Sequence, residues 1–200
     1  MKQFIEIGSN CFDTCLQLAK NGWKGVMIEA VPKIFAKMKK QNEDYPINSL
    51  NLAITDYDGE IEFAVPKLAE DEAAVDNLIF EEWMTGVGHV ISKDHKGMNG
   101  IGLMESPEGK NILHEKIKVK CKKLDTLIED LGIDKVDYLK VDTEGHELNV
   151  LEAYSWDVLP TMMKIEHRHL SEDSKDKLKD LFKGKGYIVH NERFDFYCFR

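Results

Sequence analysis

The sequence has few cysteines and no long apolar run, and each absence excludes a class of protein. Its four cysteines, Cys11, Cys15, Cys121 and Cys198, form no CxxC pair, so neither a zinc site nor a redox motif is expected. No segment is long and apolar enough to cross a bilayer, and Glu6 interrupts the short N-terminal apolar run that a signal peptide would need. We therefore expect a cytoplasmic protein with reduced thiols and no membrane partner.

Positive charge is also scarce. The chain has 27 Lys and Arg residues against 36 Asp and Glu residues, which gives a net charge of −9. Phosphate backbones are bound mainly by Lys and Arg, so we expect no nucleic-acid partner. With 200 residues, 42% of them apolar, the chain can bury one core, and we expect a single domain over residues 1–200.

Short apolar runs alternate with helical patterns along most of the chain. The predicted strands cover 4–8, 25–30, 47–55, 56–65, 116–124, 137–142 and 161–169, with a terminal hairpin over 187–200. The predicted helices begin near Asp13, Pro32, Leu124, His146 and Ser171. This alternation predicts an α/β fold with a doubly wound, mostly parallel sheet and helices on both faces.

One segment, residues 66–116, departs from this alternation. It contains "GVGHVISKDHKGMNGIG", which is rich in glycine and weak in periodicity. Segments of this length without secondary structure are uncommon unless they serve a function. We interpret it as an insertion that forms part of a substrate pocket or a lid, with a poorly ordered surface excursion as the alternative.

The residues just after the predicted strands are the candidates for ligand binding, because doubly wound folds bind ligands at the carboxyl ends of their strands. Gly8 follows the first strand, and Glu29 ends the second, a spacing typical of a carboxylate that accepts ribose hydroxyls. The G-x-G-x-x-G and GxxxxGK[ST] motifs are both missing, which disfavours NAD and excludes an ATP P-loop. A nucleoside cofactor without phosphates, such as S-adenosylmethionine (SAM), fits better.

Five blocks, in order, resemble the FkbM-type SAM-dependent methyltransferases: "IEIGSNCFDT", "IEAVP", "NLAITDYDGEIEF", "KKLDTLIED" and "YLKVDTEGHELNVLEA". The resemblance implies a class I methyltransferase fold of seven strands in the order 3-2-1-4-5-7-6, with strand 7 antiparallel. It also implies methylation of a hydroxyl group on a sugar, a glycan or another small natural product. The cofactor-binding residues that it implies are Glu6, Gly8, Ser9, Asn10, Asp13, Glu29, Ala30, Ala53 and Asp142.

The stretch "DYLKVDTEGHELNVLEA" places acidic residues directly after an apolar strand. On the methyltransferase interpretation they lie beside the transferred methyl group, where a positioned base would help to remove the proton of the acceptor hydroxyl. The candidate catalytic residues are Asp142, Glu144, His146 and His167. Helix capping and a favourable contact of the acid with the helix dipole are the alternative roles for Glu144 and His146. A divalent metal held by these groups, with Glu166 and His167, is a less favoured interpretation.

Two other functions stay open at this point. A non-catalytic Rossmann-like nucleoside-binding module would need Gly8 and Glu29 but no acid pair after the fourth strand. An NAD-dependent oxidoreductase is opposed by the missing glycines. His167 and His169 are predicted to point to the same side of a strand, opposite to Arg168. The acceptor and the oligomeric state, including a homo-oligomer, are left open by the sequence.

Overall fold

Two sheets organise the chain in its computed structural model, which describes residues 1–10, 14–66, 89–90 and 114–200. The strands are β1 Gln3–Ile7, β2 Lys24–Ile28, β3 Ile47–Leu50, β4 Ala53–Ile54, β5 Gly59–Pro66, β6 His89–Val90, β7 His114–Lys122, β8 Tyr138–Val141, β9 Met162–Glu166, β10 Ile188–Asn191 and β11 Asp195–Phe199. The helices are α1 Leu16–Lys20, α2 Pro32–Asn42, α3 Leu124–Asp130, α4 Glu147–Glu152 and α5 Glu172–Gly184.

The larger sheet has seven strands in the order β3-β2-β1-β8-β9-β11-β10. β11 is antiparallel to both of its neighbours, and the other pairings are parallel. Numbered within this sheet alone, the order is 3-2-1-4-5-7-6. The predicted α/β class is therefore confirmed. The structure differs from a single seven-stranded sheet in one detail: four further strands follow the third strand of this sheet in the sequence and precede the fourth.

Those further strands form a second sheet in the order β4-β7-β5-β6. The prediction of one continuous strand over 47–55 is therefore wrong, because β3 belongs to the large sheet and β4 to the small one. Asn51 supplies the physical reason. Its side-chain amide donates to the backbone carbonyls of Glu29 and Ala30, at 2.8 and 2.9 Å, and so holds the chain at the end of β2 instead of letting the strand continue.

The predicted insertion over 66–116 falls largely outside the described residues. Its described parts are β6, which pairs with β5, and the start of β7. Whether the segment forms a substrate pocket or a lid stays a prediction, and so does the single-domain boundary.

Apolar side chains on one face of the large sheet pack against α3, α4 and α5. Leu139 and Val141 of β8 and Ile165 of β9 are at most 1% exposed, and they join Leu151 of α4 and Phe182 of α5 in one cluster. Burial of side chains of this size stabilises the fold by about 1.5–3 kcal/mol each. This packing fixes the carboxyl ends of β8 and β9 relative to each other.

The opposite face is covered over β1 and β2 by the first two helices. Phe4 and Met27 from the strands pack with Leu16 of α1 and Met38 of α2. Within the residues that the structure describes, no helix is both long and apolar enough to cross a membrane. The predicted start of the last helix is confirmed, since the hydroxyl of Ser171 accepts the backbone N–H of Ser174.

Candidate active site

A pocket opens at the carboxyl edge of the large sheet, where β1, β2 and β8 end. It contains about 660 Å³ of empty space, part of it open to solvent. The side chains that line it include an apolar set, Leu52, Ala53, Ile54 and Phe63, and an acidic set, Glu29, Asp142 and Glu144. The pocket can therefore take a ligand that carries both an apolar ring and hydroxyl or cationic groups.

Gly8 brings the loop after β1 into contact with the end of β8. Its φ of +74° is in the left-handed region, and a Cβ at this position would lie 1.7 Å from the backbone oxygen of Asp142. Ser9 next to it is buried, and its hydroxyl donates to the carbonyl of Glu6 and accepts the N–H of Ile28. The hydroxyl of Ser9 thus ties the loop to β1 and β2, while Gly8 allows the loop to lie against the backbone of Asp142.

Glu29, at the end of β2, is held by backbone groups on both sides. The N–H of Asn10 donates to its Oε2 and the N–H of Val31 to its Oε1, both at 2.8 Å. Burial raises the pKa of Glu29 to about 7, although these N–H groups oppose the rise. Each carboxylate oxygen can accept a second hydrogen bond, so the group can still bind two neighbouring hydroxyls of a ligand.

A buried ion pair beneath the pocket was missed by the sequence analysis. Nζ of Lys140 lies 3.0 Å from Oε1 of Glu6 and 3.4 Å from Oδ2 of Asp142. Lys140 is 5% exposed and Glu6 0%. The sequence shows a charged residue in each of two apolar strands, but the register that places Lys140 opposite Glu6 comes from the structure. Glu6, predicted to bind the cofactor, does not line the pocket and contacts Lys140 beneath it, and its cofactor-binding role stays a prediction.

The charges of this group depend on one another. Burial lowers the pKa of Lys140, but the carboxylates of Glu6 and Asp142 outweigh this and hold it above its usual value. Burial raises the pKa of Asp142, and Lys140 opposes that rise. Lys140 therefore favours the ionised form of the acid at the pocket wall.

The loop after β8 has an unusual backbone. Glu144 has a φ of +55°, which residues other than glycine seldom adopt, and Gly145 follows with a φ of +101°. The carboxylate of Glu147 is fully buried, and it accepts the N–H groups of Thr143, at 2.7 Å, and of Gly145. Oε2 of Glu144 lies 3.1 Å from Nε2 of His169, which follows β9.

The two histidines predicted as catalytic do not line the pocket. His146 is 3% exposed, and its Nε2 lies 2.8 Å from the hydroxyl of Thr55. His167 packs against Phe196 with ring centroids 4.2 Å apart, and its Nε2 lies 2.9 Å from Oδ1 of Asn191. Both rings thus contact other elements outside the pocket lining, and their catalytic role stays a prediction.

The predicted strand over 161–169 is wrong beyond Glu166, where β9 ends. The carbonyl of His167 accepts the N–H of Leu170, so the chain turns here instead of continuing in extended form. The predicted alternation of His167, Arg168 and His169 along a strand therefore fails. The turn brings His169, which sequence reasoning did not choose, to Glu144 on the pocket wall.

The structure brings most of the predicted site residues together. The pocket is lined by Gly8, Asn10, Glu29, Ala30, Ala53, Asp142 and Glu144. Glu6 and Ser9 lie beneath it, and Asp13 lies outside the described residues. The roles assigned to these residues stay predictions. Among the described residues, no three His, Cys, Asp or Glu side chains are grouped so that they could hold a metal ion.

The sheet order and a pocket at the strand ends define a Rossmann-like fold of the class I methyltransferase type. A family model described as the methyltransferase FkbM domain matches residues 6–189. The chain therefore belongs to the FkbM methyltransferase family, whose members are SAM-dependent methyltransferases. No curated protein sequence gives a significant match to the chain.

Solved structures resemble the chain only distantly. The N-terminal domain of human METTL16 in complex with SAH is 14% identical with a TM-score of 0.45, and the match covers 99% of this chain and 60% of that chain. A fibrillarin/Nop5p complex is 11% identical with a TM-score of 0.45, covering 100% and 72%. A precorrin-6y C5,15-methyltransferase from Geobacter metallireducens is 8% identical with a TM-score of 0.41, covering 98% and 78%. At these scores the likenesses add nothing to the family match.

Proposed function

We propose that this protein transfers the methyl group of SAM to a hydroxyl group of a sugar or another small-molecule acceptor. The observation that carries the proposal is the position of Glu29. Its carboxylate is oriented by backbone N–H groups of two loops, and it lies in the pocket beside the apolar side chains of Leu52 and Phe63. A ribose hydroxyl pair and an adenine ring need these two neighbouring environments.

The residues present fit SAM better than a phosphate-bearing cofactor. Lys140 is the one cation among the described residues that line the pocket, and two carboxylates already bind it. A pyrophosphate would therefore face Glu29, Asp142 and Glu144 without a free positive partner. A positively charged sulfonium is instead favoured by the same acidic residues.

In the proposed reaction, SAM supplies a methyl group bound to a positively charged sulfur. Glu29 fixes the nucleoside end, and Gly8 allows the loop after β1 to lie close to the end of β8. Asp142, whose ionised form Lys140 favours, orients the donor and the acceptor hydroxyl at the pocket wall. Alignment of this kind can contribute about 7–11 kcal/mol to lowering the barrier when the reacting atoms are held in line.

Transfer of a tritium-labelled methyl group from SAM tests the proposal. A panel pairs hydroxyl compounds, such as methyl glucoside, methyl galactoside, glycerol and phenol, with amine and thiol analogues. We expect label in at least one hydroxyl compound, as an ether that survives mild alkali. Label on amines or thiols alone would contradict the hydroxyl acceptor. Binding of the demethylated product S-adenosylhomocysteine (SAH) without transfer to any compound would favour a non-catalytic nucleoside-binding module.

A further inference from the structure

We propose that His169 is the base that removes the proton of the acceptor hydroxyl and that Glu144 positions it. The inference rests on the proposed function, because it assigns a role in the same reaction. It replaces His146 and His167 in that role, since these two residues are only 3% and 4% exposed, whereas the side chain of His169 is 19% exposed and contacts Glu144 of the pocket wall.

The two side chains form a carboxylate–imidazole pair at the edge of the pocket. Oε2 of Glu144 lies 3.1 Å from Nε2 of His169, and the side chains are 28% and 19% exposed. Glu144 itself lines the pocket. In a neutral imidazole, an Nε2–H that donates to the carboxylate leaves the lone pair on Nδ1, and that nitrogen can then accept a proton. Glu144 thus links His169 to the pocket, and both side chains are partly exposed.

The backbone around the pair is built for this contact. Glu144 is held in the left-handed region, which is unfavourable for a residue with a side chain. A Cβ on Gly145 would lie 3.3 Å from Cβ of His169, so a glycine allows the turn after β9 to approach this closely. The buried carboxylate of Glu147 binds the N–H groups of Thr143 and Gly145 and keeps the strained loop in place.

Other charged groups lie around the pair. Asp142, which follows β8, interacts with Glu144, Lys140 and Lys164. Burial, and then the neighbouring acids Glu147, Asp142 and Glu144, raise the pKa of Glu166 at the end of β9 to about 9.

A second histidine–glutamate pair has the same nitrogen–oxygen distance but lies elsewhere in the molecule. Nε2 of His190 lies 3.1 Å from Oε1 of Glu192, with side chains that are 65% and 58% exposed on the terminal hairpin. Neither of its members lines the pocket, whereas Glu144 of the proposed pair does. The pair of His190 and Glu192 is therefore a matched control for a carboxylate–imidazole contact without a catalytic role.

The step balances without a further reactant. The proton of the acceptor hydroxyl passes to Nδ1 of His169, and the oxygen forms a bond to the methyl carbon as the carbon–sulfur bond breaks. The electron pair of that bond goes to sulfur, so the products are a methyl ether, neutral SAH and a protonated His169. Water then takes the proton and restores the base.

The test compares His169→Asn and Glu144→Gln with the control variants His190→Asn and Glu192→Gln. With the acceptor found in the hydroxyl panel, we expect His169→Asn to lower kcat by roughly 10²–10⁴ with little change in KM, as for loss of a general base. Glu144→Gln should lower kcat less and move the acid side of the pH–rate profile. The controls should keep the wild-type rate within about threefold, as expected for surface substitutions.

A second measurement needs no acceptor. Long-range ¹H–¹⁵N spectra of the SAH-bound protein report which nitrogen of neutral His169 carries the proton, and we expect Nε2. A proton on Nδ1, or an unchanged transfer rate in His169→Asn, would overturn the proposal. Calorimetry separates the two failures: if His169→Asn and the wild type both bind SAH, only the base assignment falls. If the wild type itself does not bind SAH, the proposed function falls.

Discussion

The two loops that border the pocket, after β2 and after β8, are built in opposite ways. The loop after β2 is held by hydrogen bonds: backbone N–H groups donate to the carboxylate of Glu29, and the Asn51 amide donates to the backbone carbonyls of Glu29 and Ala30. The loop after β8 contains Glu144 in a strained conformation and places it against the half-buried His169. A relaxed loop of the first kind suits binding of a fixed ligand group, and a strained, charged loop of the second kind suits chemistry.

Gly8 contacts both loops: its N–H donates to the carbonyl of Ile28 at the end of β2, and it packs against the backbone oxygen of Asp142 after β8. The buried ion pair of Lys140 and Glu6 lies beneath the pocket that the loops border. Substitutions at the shared positions should therefore affect both loops, while substitutions within one loop should separate binding from chemistry.

The largest effect on stability is expected from Lys140→Met, which removes the cation of the buried ion pair beneath the pocket. It leaves the carboxylate of Glu6 buried without a cation, and breaking such a pair costs about 3–5 kcal/mol in the free energy of unfolding. Urea denaturation followed by circular dichroism measures this. Adding Glu6→Gln should recover part of the loss. Lys175→Met, which breaks an exposed pair with Glu172, should cost less than about 1 kcal/mol. A similar loss of unfolding free energy in both variants would mean that the buried pair stabilises the fold no more than an exposed pair does.

Gly8→Ala should come next, because its methyl group would lie 1.7 Å from the oxygen of Asp142. We expect a loss on the order of 3 kcal/mol in unfolding free energy and no measurable SAH binding, since both loops must shift. Gly22→Ala is the control: Gly22 has a φ of +85° but nothing within 4 Å of a Cβ, so it should cost only about 1–2 kcal/mol of strain. Equal losses in the two variants would show that the contact with Asp142 is unimportant.

Glu29→Gln changes only the loop after β2 and should therefore affect cofactor binding. Both of its oxygens accept backbone N–H groups, so one end of the amide would place an NH₂ against a donor. We expect the Kd for SAH to rise roughly ten- to hundredfold, because a hydrogen bond to a charged group contributes about 1.5–3 kcal/mol. Glu43→Gln, at the end of α2, should leave the Kd unchanged.

Glu29 also predicts a pH dependence of binding. Burial raises its pKa to about 7, so the ionised form that accepts ribose hydroxyls increases as the pH rises through that value. The affinity of the wild type for SAH should therefore increase from mildly acid to mildly alkaline pH, and that of Glu29→Gln should not. A parallel pH dependence in both proteins would remove Glu29 from the binding site.

The smallest effect is expected at Glu166, beside the loop after β8. Burial and neighbouring acids raise its pKa to about 9, and its Oε2 is buried without a partner among the described residues. A raised pKa in the folded state stabilises the protein at pH values below the ordinary pKa of a glutamate. This stabilisation is lost as the pH rises through the pKa of the folded state. Glu166→Gln should therefore raise the free energy of unfolding by about 1 kcal/mol at mildly alkaline pH and flatten its fall with pH. A variant that is less stable than the wild type at this pH would refute the account of Glu166.

The fold was largely predictable from the sequence, because alternating strand and helix periods reflect burial on the two faces of a sheet. One exception, the strand over 47–55, shows the limit of such patterns. Its apolar pattern is continuous, but the side chain of Asn51 binds the backbone at the end of β2 and directs the chain into a second sheet.

The site was predictable where it depends on strand ends. Gly8, Glu29 and Asp142 follow buried strands, and parallel strands bring their carboxyl ends together. Lys140 was missed because its role depends on the register of β8 against β1, which a single sequence does not reveal. His169 was missed because the strand was expected to continue, whereas the turn after Glu166 decides which histidine reaches Glu144.

Calorimetric titration of the wild-type protein with SAH and, separately, with NAD tests the central claim most directly. The acidic and apolar sides of the pocket predict that SAH binds with a Kd in the micromolar range and raises the melting temperature, while NAD gives no heat of binding. Binding of NAD without binding of SAH would contradict the account.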